Sequence, residues 1–370
     1  MAEKICSGIL PWLAAGLILG MAVSLLFLQQ AVPVAPAPAP QANWTKEAAG
    51  IEILLINPQD CPACRPLDQV LPQLEEVAAG MNLTVSSARN ASAAEGAALI
   101  AKYNITRLPS MVVTGNYSAE FASDWTGGAG TKESDGALVL RNIYPPYYEN
   151  GKVVGVVRGT VIAAPNCTAC LDPERYYTSL EDPQVDMKFS TKSVLQENDA
   201  AAQALIVQYN ITKLPVLLLS EDAGAYDVFG QYLLPLGEIR GGWFILRNVT
   251  PPYVDLQTGR VHGLVETIFI VNSSCTDCFD ASDLSAYLVG SGGMALVKNT
   301  TYEANSTAGK ELIAKYKLRN LPALLYSPDA SAYYGFSEAW LAEGETVESD
   351  GWHVFRAYES LAVPYQNISG

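Results

Sequence analysis

The sequence contains few charged side chains, and positive charge is the scarcer sign. Charged residues make up 16% of its 370 residues, and 38 acidic residues against 23 basic ones give a formal net charge of −15. Nucleic acid would be repelled by this excess of negative charge, so nucleic-acid binding is excluded. Apolar residues make up 49%, which excludes an intrinsically disordered chain. A surface with so few ionic groups needs another source of solubility.

Histidine is almost absent, and the patterns of nucleotide and metal sites are missing. The two histidines, His262 and His353, lie in predicted strands, where we interpret them as surface or packing residues. The glycine-rich stretch 126–136 lacks the G-K-[ST] pattern of a P-loop and is interpreted as a loop. The cysteine pairs described below are too far apart along the chain for a four-thiolate zinc site. We therefore predict no metal and no cofactor.

The start of the chain carries a long uncharged apolar run, residues 8–28. At about 1.5 Å per residue its length matches the roughly 30 Å hydrocarbon layer of a bilayer. A cleaved secretory signal is the alternative, although its apolar core usually runs only about 7–15 residues. We expect a cytoplasmic N-terminus at 1–7 with a thiol at Cys6, a transmembrane helix in contact with lipid at 8–28, and a Pro/Ala-rich extended spacer at 29–45.

Asparagine occurs mostly in the N-x-[ST] pattern of N-linked glycosylation, which twelve of the seventeen asparagines fit. This excess favours a heavily glycosylated ectodomain, in which sugar supplies the solubility that charge does not. All twelve follow the apolar run, so we predict a single-pass membrane protein with its carboxyl-terminal bulk outside the cytoplasm, at the cell surface. The predicted glycosylation sites are Asn43, Asn82, Asn90, Asn104, Asn116, Asn166, Asn210, Asn248, Asn272, Asn299, Asn305 and Asn367.

Six of the seven cysteines form three C-x-x-C pairs, a usage that fits a compartment in which disulfides persist. The pairs begin at Cys61, Cys167 and Cys275, which are 106 and then 108 residues apart. Each pair follows an apolar run typical of a buried strand and precedes a helical stretch. This regular spacing indicates tandem duplication of one domain.

Further landmarks keep the same spacing. In each unit a predicted helix ends at Tyr, and a Leu-Pro pair then opens a new strand. The prolines lie 48, 48 and 47 residues after the first cysteine of their unit, at Pro109, Pro215 and Pro322. Three arginines follow at offsets of 80, 80 and 81 residues, namely Arg141, Arg247 and Arg356.

The order of strand, C-x-x-C pair, helix, strand, helix and X-Pro strand resembles the thioredoxin fold. The resemblance implies an α/β protein of three tandem thioredoxin-like domains, each a central mixed sheet flanked by helices, at 46–150, 151–258 and 259–370. In that family the proline is cis and lies against the dithiol, and it presents an unpaired backbone edge to an extended substrate segment. The resemblance gives this role to Pro109, Pro215 and Pro322.

The resemblance implies thiol–disulfide chemistry at each pair. The first cysteine is expected at a helix N-terminus, where free N–H groups and the positive end of the helix dipole stabilise a thiolate. That thiolate attacks a disulfide, and the second cysteine, one turn further on, resolves the mixed disulfide. The attacking residues are Cys61, Cys167 and Cys275, and the resolving residues are Cys64, Cys170 and Cys278.

Thioredoxins carry a buried Asp six residues before the first cysteine. Here that position holds Leu55, Val161 and Phe269, so the buried proton relay is missing.

The three sites are expected to differ in reactivity. Arg65 directly follows the first motif and favours a thiolate there. A glycan on Asn166 would crowd the second pair, and Asp277 inside the third motif disfavours a thiolate. We predict that the first unit is the most active.

Proline- and tyrosine-rich segments recur near the unit ends, at 144–148, 250–254 and 362–365. We interpret them as interdomain turns with aromatic packing, and a peptide-binding surface is the alternative.

These observations predict a membrane-anchored, extracytoplasmic thiol–disulfide oxidoreductase or isomerase. Its partners would be protein thiols and disulfides of secreted or surface proteins, together with an unidentified membrane redox partner. The alternative is a glycosylated cell-surface structural or adhesion protein that reuses the fold, with each C-x-x-C a permanent disulfide.

Overall fold

The structure, a computed structural model, describes residues 49–342, 344–359 and 362–369. Within these ranges no helix is both long enough and apolar enough to cross a bilayer. The predicted span at 8–28, the spacer at 29–45, Cys6 and Asn43 lie outside the described residues.

The first repeat unit contains a five-stranded sheet flanked by helices. Its elements are β1 Ala49–Ile56, a 3₁₀ turn Leu67–Gln69, α1 Leu71–Gly80, β2 Leu83–Asn90, α2 Ala93–Tyr103, β3 Arg107–Leu108, β4 Ser110–Gly115, α3 Ala119–Asp124, a π-helical turn Trp125–Ala129, β5 Gly130–Lys132, β6 Leu138–Leu140, β7 Tyr147–Glu149 and β8 Lys152–Val154. The strand order is β2-β1-β4-β6-β5. Strand β1 runs parallel to β2 and antiparallel to β4, so the sheet is mixed.

The second and third units repeat this arrangement, in the strand orders β10-β9-β12-β14-β13 and β18-β17-β20-β22-β21. The second unit contains β9 Val156–Ala163, α4 Pro173–Leu180, β10 Lys188–Gln196, α5 Ala200–Tyr209, β11 Lys213–Leu214, β12 Val216–Ser220, helical turns Glu221–Ala225, Phe229–Leu233 and Leu234–Leu236, β13 Gly237–Arg240, β14 Trp243–Leu246, β15 Tyr253–Asp255 and β16 Val261–His262. The third contains β17 Leu264–Val271, α6 Ala281–Gly292, β18 Ala295–Glu303, α7 Thr307–Tyr316, β19 Asn320–Leu321, β20 Ala323–Tyr326, a 3₁₀ turn Pro328–Ala332, α8 Phe336–Ala342, β21 Thr346–Val347, β22 His353–Val354 and β23 Gln366–Asn367.

The predicted α/β class with mixed sheets is confirmed. Each unit places a parallel pair of strands on one side and antiparallel strands on the other, with a cis-proline opening the first antiparallel strand. This arrangement is similar to the thioredoxin-like fold that the sequence predicts.

Apolar side chains cover both faces of each central strand because successive residues of a strand point to opposite faces. In the first sheet, Ile53 and Val113 belong to the cluster on one face, and Ile56 and Val112 belong to the cluster on the other. Burying an aliphatic side chain of this size stabilises the fold by about 1.5–3 kcal/mol. Burial on both faces explains why these strands read as nearly continuous apolar runs.

The repeated arginines cap the helix that precedes each cis-proline. These helices end at a tyrosine, as the sequence predicts, and the Arg141 guanidinium donates to the carbonyl oxygens of Tyr103 at 2.7 Å and Asn104 at 3.0 Å. The last carbonyls of a helix have no intrahelical donor, so this contact satisfies them. The constant offset of the arginines therefore has a structural cause, repeated by Arg247 and Arg356.

Each unit also has a short second sheet, and in the first two units this sheet leads into the next unit. These sheets have the orders β3-β7-β8, β11-β15-β16 and β19-β23. The chain enters the second unit through Gly155, which has φ +89° and approaches Pro145 so closely that a Cβ would lie 2.6 Å from the proline Cβ. Gly263 repeats this approach at Pro251, with φ +88° and 2.5 Å. Only glycine fits both the left-handed conformation and the close contact.

Candidate functional site

Each C-x-x-C pair forms a disulfide in a turn that follows the central strand of its sheet. The Cα–Cα distances are 5.3, 5.3 and 5.6 Å for the first, second and third pairs. Strands β1, β9 and β17 end four or five residues before the first cysteine, so each disulfide lies at the carboxyl end of its strand. The sequence therefore identified both members of every pair.

The predicted position at a helix N-terminus is wrong. Helices α4 and α6 begin at Pro173 and Ala281, three residues after the second cysteine, and in the first unit a 3₁₀ turn begins at Leu67. The N-caps of α4 and α6 are Asp172 and Asp280, which sequence reasoning missed. An Asp two residues after the motif, directly before a helical stretch, is the signal that identifies them.

The Asp280 carboxylate occupies the electropositive end of α6. It accepts hydrogen bonds from the Ser282 hydroxyl at 2.6 Å and the Ser282 amide at 2.7 Å. The Ser282 hydroxyl and amide hydrogen bonds hold the pKa of Asp280 below its usual value, although partial burial opposes them. The anion stabilised by this helix is thus a carboxylate rather than a cysteine thiolate.

The resemblance implies a cis-proline at three positions, and the structure has a cis bond at each. The Leu108–Pro109, Leu214–Pro215 and Leu321–Pro322 bonds are all cis.

In the first unit the Cys64 sulfur lies 3.9 Å from the Leu108 carbonyl oxygen, and in the third the Cys278 sulfur lies 3.8 Å from that of Leu321. A disulfide sulfur has no proton to donate, but after reduction a thiol at this position has a hydrogen-bond acceptor within reach.

In the second unit a buried tyrosine links the helix that follows the cysteine pair to the cis-proline. Tyr176, on α4, donates from its hydroxyl to the Pro215 carbonyl oxygen at 3.3 Å. In the third unit the Tyr358 hydroxyl makes the same contact with Pro322 at 3.0 Å. Both proline carbonyls are therefore satisfied within the chain.

The backbone edge beside each proline is already paired, contrary to what the resemblance implies. Leu108 pairs with Tyr148 and Leu214 with Val254, each in antiparallel register. In the third unit Leu321 pairs with Gln366. The segments interpreted as interdomain turns therefore also supply, or lead directly into, these pairing strands.

The first disulfide is the most enclosed. Cys61 and Cys64 are 8% and 7% exposed, whereas the other four paired cysteines are half-buried. Arg65, expected to favour a thiolate at the first site, instead forms an ion pair with Asp186 of the second unit. Both observations count against the premise for ranking the first unit highest, and the ranking itself stays a prediction.

The second unit lies against the first motif. The Tyr144 hydroxyl donates to the Val185 carbonyl oxygen, and the Tyr144 and Tyr226 rings meet edge to face at 5.6 Å. A cleft of about 460 Å³ separates the motif from the second unit. It is lined by Pro62, Ala63, Val156, Glu181, Met187, Lys188 and Phe189.

The relay positions and the histidines are packing sites. The positions that hold the buried Asp in thioredoxins are occupied by buried apolar residues of the central strands, namely Leu55, Val161 and Phe269. His353 is fully buried in β22, where its ring lies 5.2 Å from that of Phe336, and burial lowers its pKa. His262 stacks on Tyr253 at 5.7 Å. Within the described ranges, no group of three or more His, Cys, Asp or Glu side chains is placed to hold a metal ion.

The acceptor asparagines differ in exposure. Ten of the eleven that the structure describes are exposed, including Asn166 beside Cys167. Asn272 is half-buried, and its side-chain nitrogen donates to the Gln366 side-chain oxygen at 2.7 Å.

Comparison with known proteins finds structural likeness only. No family model matches the chain, and neither does any curated protein sequence. The chain is similar to full-length ERdj5, at 11% identity and TM-score 0.16 over 90% of this chain, and it spans 45% of that one. It is similar to human ERp44, at 11% identity and TM-score 0.16 over 76% of this chain and 78% of that one. These TM-scores are low, so the fold assignment depends on the strand order and cis-prolines of the chain itself.

Proposed function

We propose that the chain is a membrane-anchored, extracytoplasmic thiol–disulfide oxidoreductase or isomerase that exchanges disulfides with secreted or surface proteins. The observation that carries the proposal is that three disulfides, each joining residues three apart, occupy the same turn of a unit that contains a cis-proline, and in the first and third units a disulfide sulfur contacts the residue before that proline. In the chain-entropy model so short a loop stabilises a fold by only about 2 kcal/mol, against nearly 5 for a 100-residue loop. Such bridges suit exchange better than stabilisation.

In the oxidising direction a substrate thiolate attacks the sulfur of the first cysteine. The new S–S bond forms as the Cys–Cys bond breaks, and the second cysteine leaves as a thiolate that takes up a proton from water. At the third site this thiol can donate to the Leu321 carbonyl oxygen. A second substrate thiolate then resolves the mixed disulfide, so the substrate loses two electrons and the cysteine pair gains them. A membrane redox partner restores the disulfide.

In the reducing direction, the thiolates of the first cysteines attack a substrate disulfide. These nucleophiles are Cys61, Cys167 and Cys275. Half-burial of the second and third pairs leaves their sulfurs accessible to a small reagent, whereas the first pair is enclosed. We infer that the second and third units carry most of the exchange.

One observation favours the second candidate, a glycosylated structural or adhesion protein. Burial of Cys61 and Cys64 shields their disulfide from reductants, as expected of a permanent disulfide, and the Arg65–Asp186 ion pair joins the first motif to the second unit. This candidate applies most directly to the first unit.

The test combines redox titration with activity. Each pair is titrated against a glutathione series, and insulin reduction and refolding of a scrambled disulfide protein are measured with Cys61→Ser, Cys167→Ser and Cys275→Ser. Potentials of about −100 to −270 mV are expected for exchanging pairs, and values below about −300 mV for permanent disulfides. Three values below that limit, with no activity lost in any variant, would establish the structural function instead. Cell fractionation and glycosidase treatment test the proposed location.

A further inference from the structure

The third disulfide is bracketed by one segment, residues 363–368, which we call the strap. The Pro364 carbonyl oxygen accepts the backbone N–H of Phe279, the residue after the motif, at 2.9 Å. The Gln366 side-chain oxygen accepts the amide of Asn272, three residues before the motif, at 2.7 Å. The strap therefore contacts the chain on both sides of the cysteine pair.

The strap also occupies the edge of β19, beside the cis-proline. Gln366 lies opposite Leu321 in antiparallel register, and the Ile368 N–H donates to the Arg319 carbonyl oxygen at 2.7 Å. The rings of Tyr365 and Tyr358 lie 5.2 Å apart. These contacts hold the strap in place in the described structure.

The corresponding strands of the first two units are held differently. Strands β7 and β15 each continue into a second strand, β8 or β16, that leads into the next unit. Within the described residues β23 pairs with β19 alone. Release of β7 or β15 would disrupt a connection between units, whereas the strap contacts seen among the described residues lie within the third unit.

The strap fills a strand edge that borders the third disulfide. The Cys278 sulfur is 3.8 Å from the carbonyl oxygen of Leu321, the residue that Gln366 pairs with, so a polypeptide docked on this edge would lie next to the cysteine pair. Its backbone N–H and C=O groups need partners there, and a strand edge supplies them.

We propose that the strap is an intramolecular occupant of a polypeptide-binding edge. The partner that this edge takes is an extended protein segment carrying a cysteine, paired antiparallel with Asn320–Leu321 after the strap has left. This inference rests on the proposed function, because it requires an exchange-competent third disulfide. In the exchange the segment's cysteine forms an S–S bond with Cys275, and Cys278 leaves as the thiolate.

The test compares an extended thiol with a small one. The full chain is treated with a nine-residue, proline-free peptide with one central cysteine or with dithiothreitol, and opening of the Cys275–Cys278 bond is followed by mass mapping. Gln366→Pro removes the amide of the residue opposite Leu321 and leaves the Asn367 glycosylation pattern intact. Gln366→Ala, the matched control, keeps the backbone pairing.

Gln366→Pro should raise the rate at which the peptide opens the Cys275–Cys278 bond at least about tenfold. This is the factor expected if the strap occupies the edge in about nine molecules of ten and the variant frees it. The rate with dithiothreitol should change less than twofold in both variants. Equal acceleration with both reagents, or none with the peptide, would overturn the role of the strap. Failure of both reagents to open the bond in any variant would instead contradict the proposed function.

A second measurement uses the unsubstituted chain, in case the proline variant does not fold. A peptide with serine in place of cysteine is added, and hydrogen exchange of the Ile368 amide is followed. Displacement of the strap should accelerate this exchange at least about tenfold, because the amide loses its acceptor. An unchanged rate at peptide concentrations that saturate binding would refute displacement.

Discussion

The carboxylate of Asp280, two residues after Cys278, accepts the backbone N–H of Ser282 at 2.7 Å. A negative charge therefore lies between the third dithiol and the helix that sequence reasoning expected to activate it. The Asp280 carboxylate and a cysteine thiolate would compete for the same electropositive helix end, and in the structure the carboxylate occupies it.

Removing this charge should make the reduced third pair more reactive. Asp280→Asn keeps a capping side chain, so unfolding should change little, while alkylation of Cys275 and Cys278 by iodoacetamide at pH 7 should speed up. Asp280→Ala also removes the cap and should lower the free energy of unfolding by about 1 kcal/mol. Asp283→Ala, in the same helix turn but outside the cap, is the control. An Asp280→Asn rate equal to that of the unsubstituted chain would contradict this account.

The third unit should lose stability as the pH falls through the range in which free histidine titrates. Burial lowers the pKa of His353, so the unfolded chain binds a proton near pH 6.5 that the folded chain binds only at lower pH. Stability is therefore expected to be full above about pH 6.5 and to decline below it. Urea unfolding from pH 5 to 8 measures how the free energy of unfolding changes with pH. His353→Gln should reduce this dependence, and an identical dependence in the variant would show that other groups cause it.

The arginine caps should be energetically important. In the third unit the Arg356 guanidinium donates to the Tyr316 carbonyl oxygen at 2.8 Å and to Glu348 at 2.9 Å. Arg356→Met removes this donor from the Tyr316 carbonyl oxygen and leaves Glu348 with the Thr346 hydroxyl alone, and it should cost about 1–3 kcal/mol of unfolding free energy. Lys310→Met, at an exposed site on α7, the helix that Arg356 caps, should cost less than about 0.5 kcal/mol of unfolding free energy. Equal costs in the two variants would argue against a capping role.

Accessibility of the first disulfide should depend on the contact between units. Arg65→Gln removes the ion pair with Asp186, so the second unit should cover the first motif less firmly. Reduction of Cys61–Cys64 by dithiothreitol is expected to accelerate, while reduction of Cys275–Cys278 stays constant. Arg89→Gln, which breaks the exposed pair with Glu95 in the same unit, provides the control. Acceleration in both variants would indicate a general loosening of the first unit.

Glycosylation should skip Asn272. Its side-chain nitrogen, the atom that would carry the sugar, donates to Gln366, whereas Asn166 is exposed. Glycopeptide mapping of the protein from its natural host should find Asn272 unmodified and Asn166 available for modification. Sugar on Asn272 would show that the Asn272–Gln366 contact forms after modification or not at all.

Much of the fold was predictable because its signals are local. Buried strands have apolar runs, helices end at recognisable residues, and the Leu-Pro pairs and cysteine pairs repeat at constant spacing. The apolar runs and the spacing predicted the α/β class and the partner of each cysteine, and the resemblance to the thioredoxin fold implied the cis bonds at Pro109, Pro215 and Pro322. Two further cis bonds, at Pro146 and Pro252, were not predicted. The arginines were visible as a spacing but not as caps, because a cap depends on where the chain returns after some forty residues.

Local sequence thus determined which residues form each unit and which sulfurs pair, since strand, helix and turn preferences act over a few neighbouring residues. Only the tertiary structure decided the environment of those sulfurs. Arg65, the residue after the first cysteine pair, meets Asp186 of another unit, and Gln366 returns to fill the edge at Leu321. Both contacts join residues far apart in the chain, and such pairings follow from the packing of whole units rather than from the preferences of any segment.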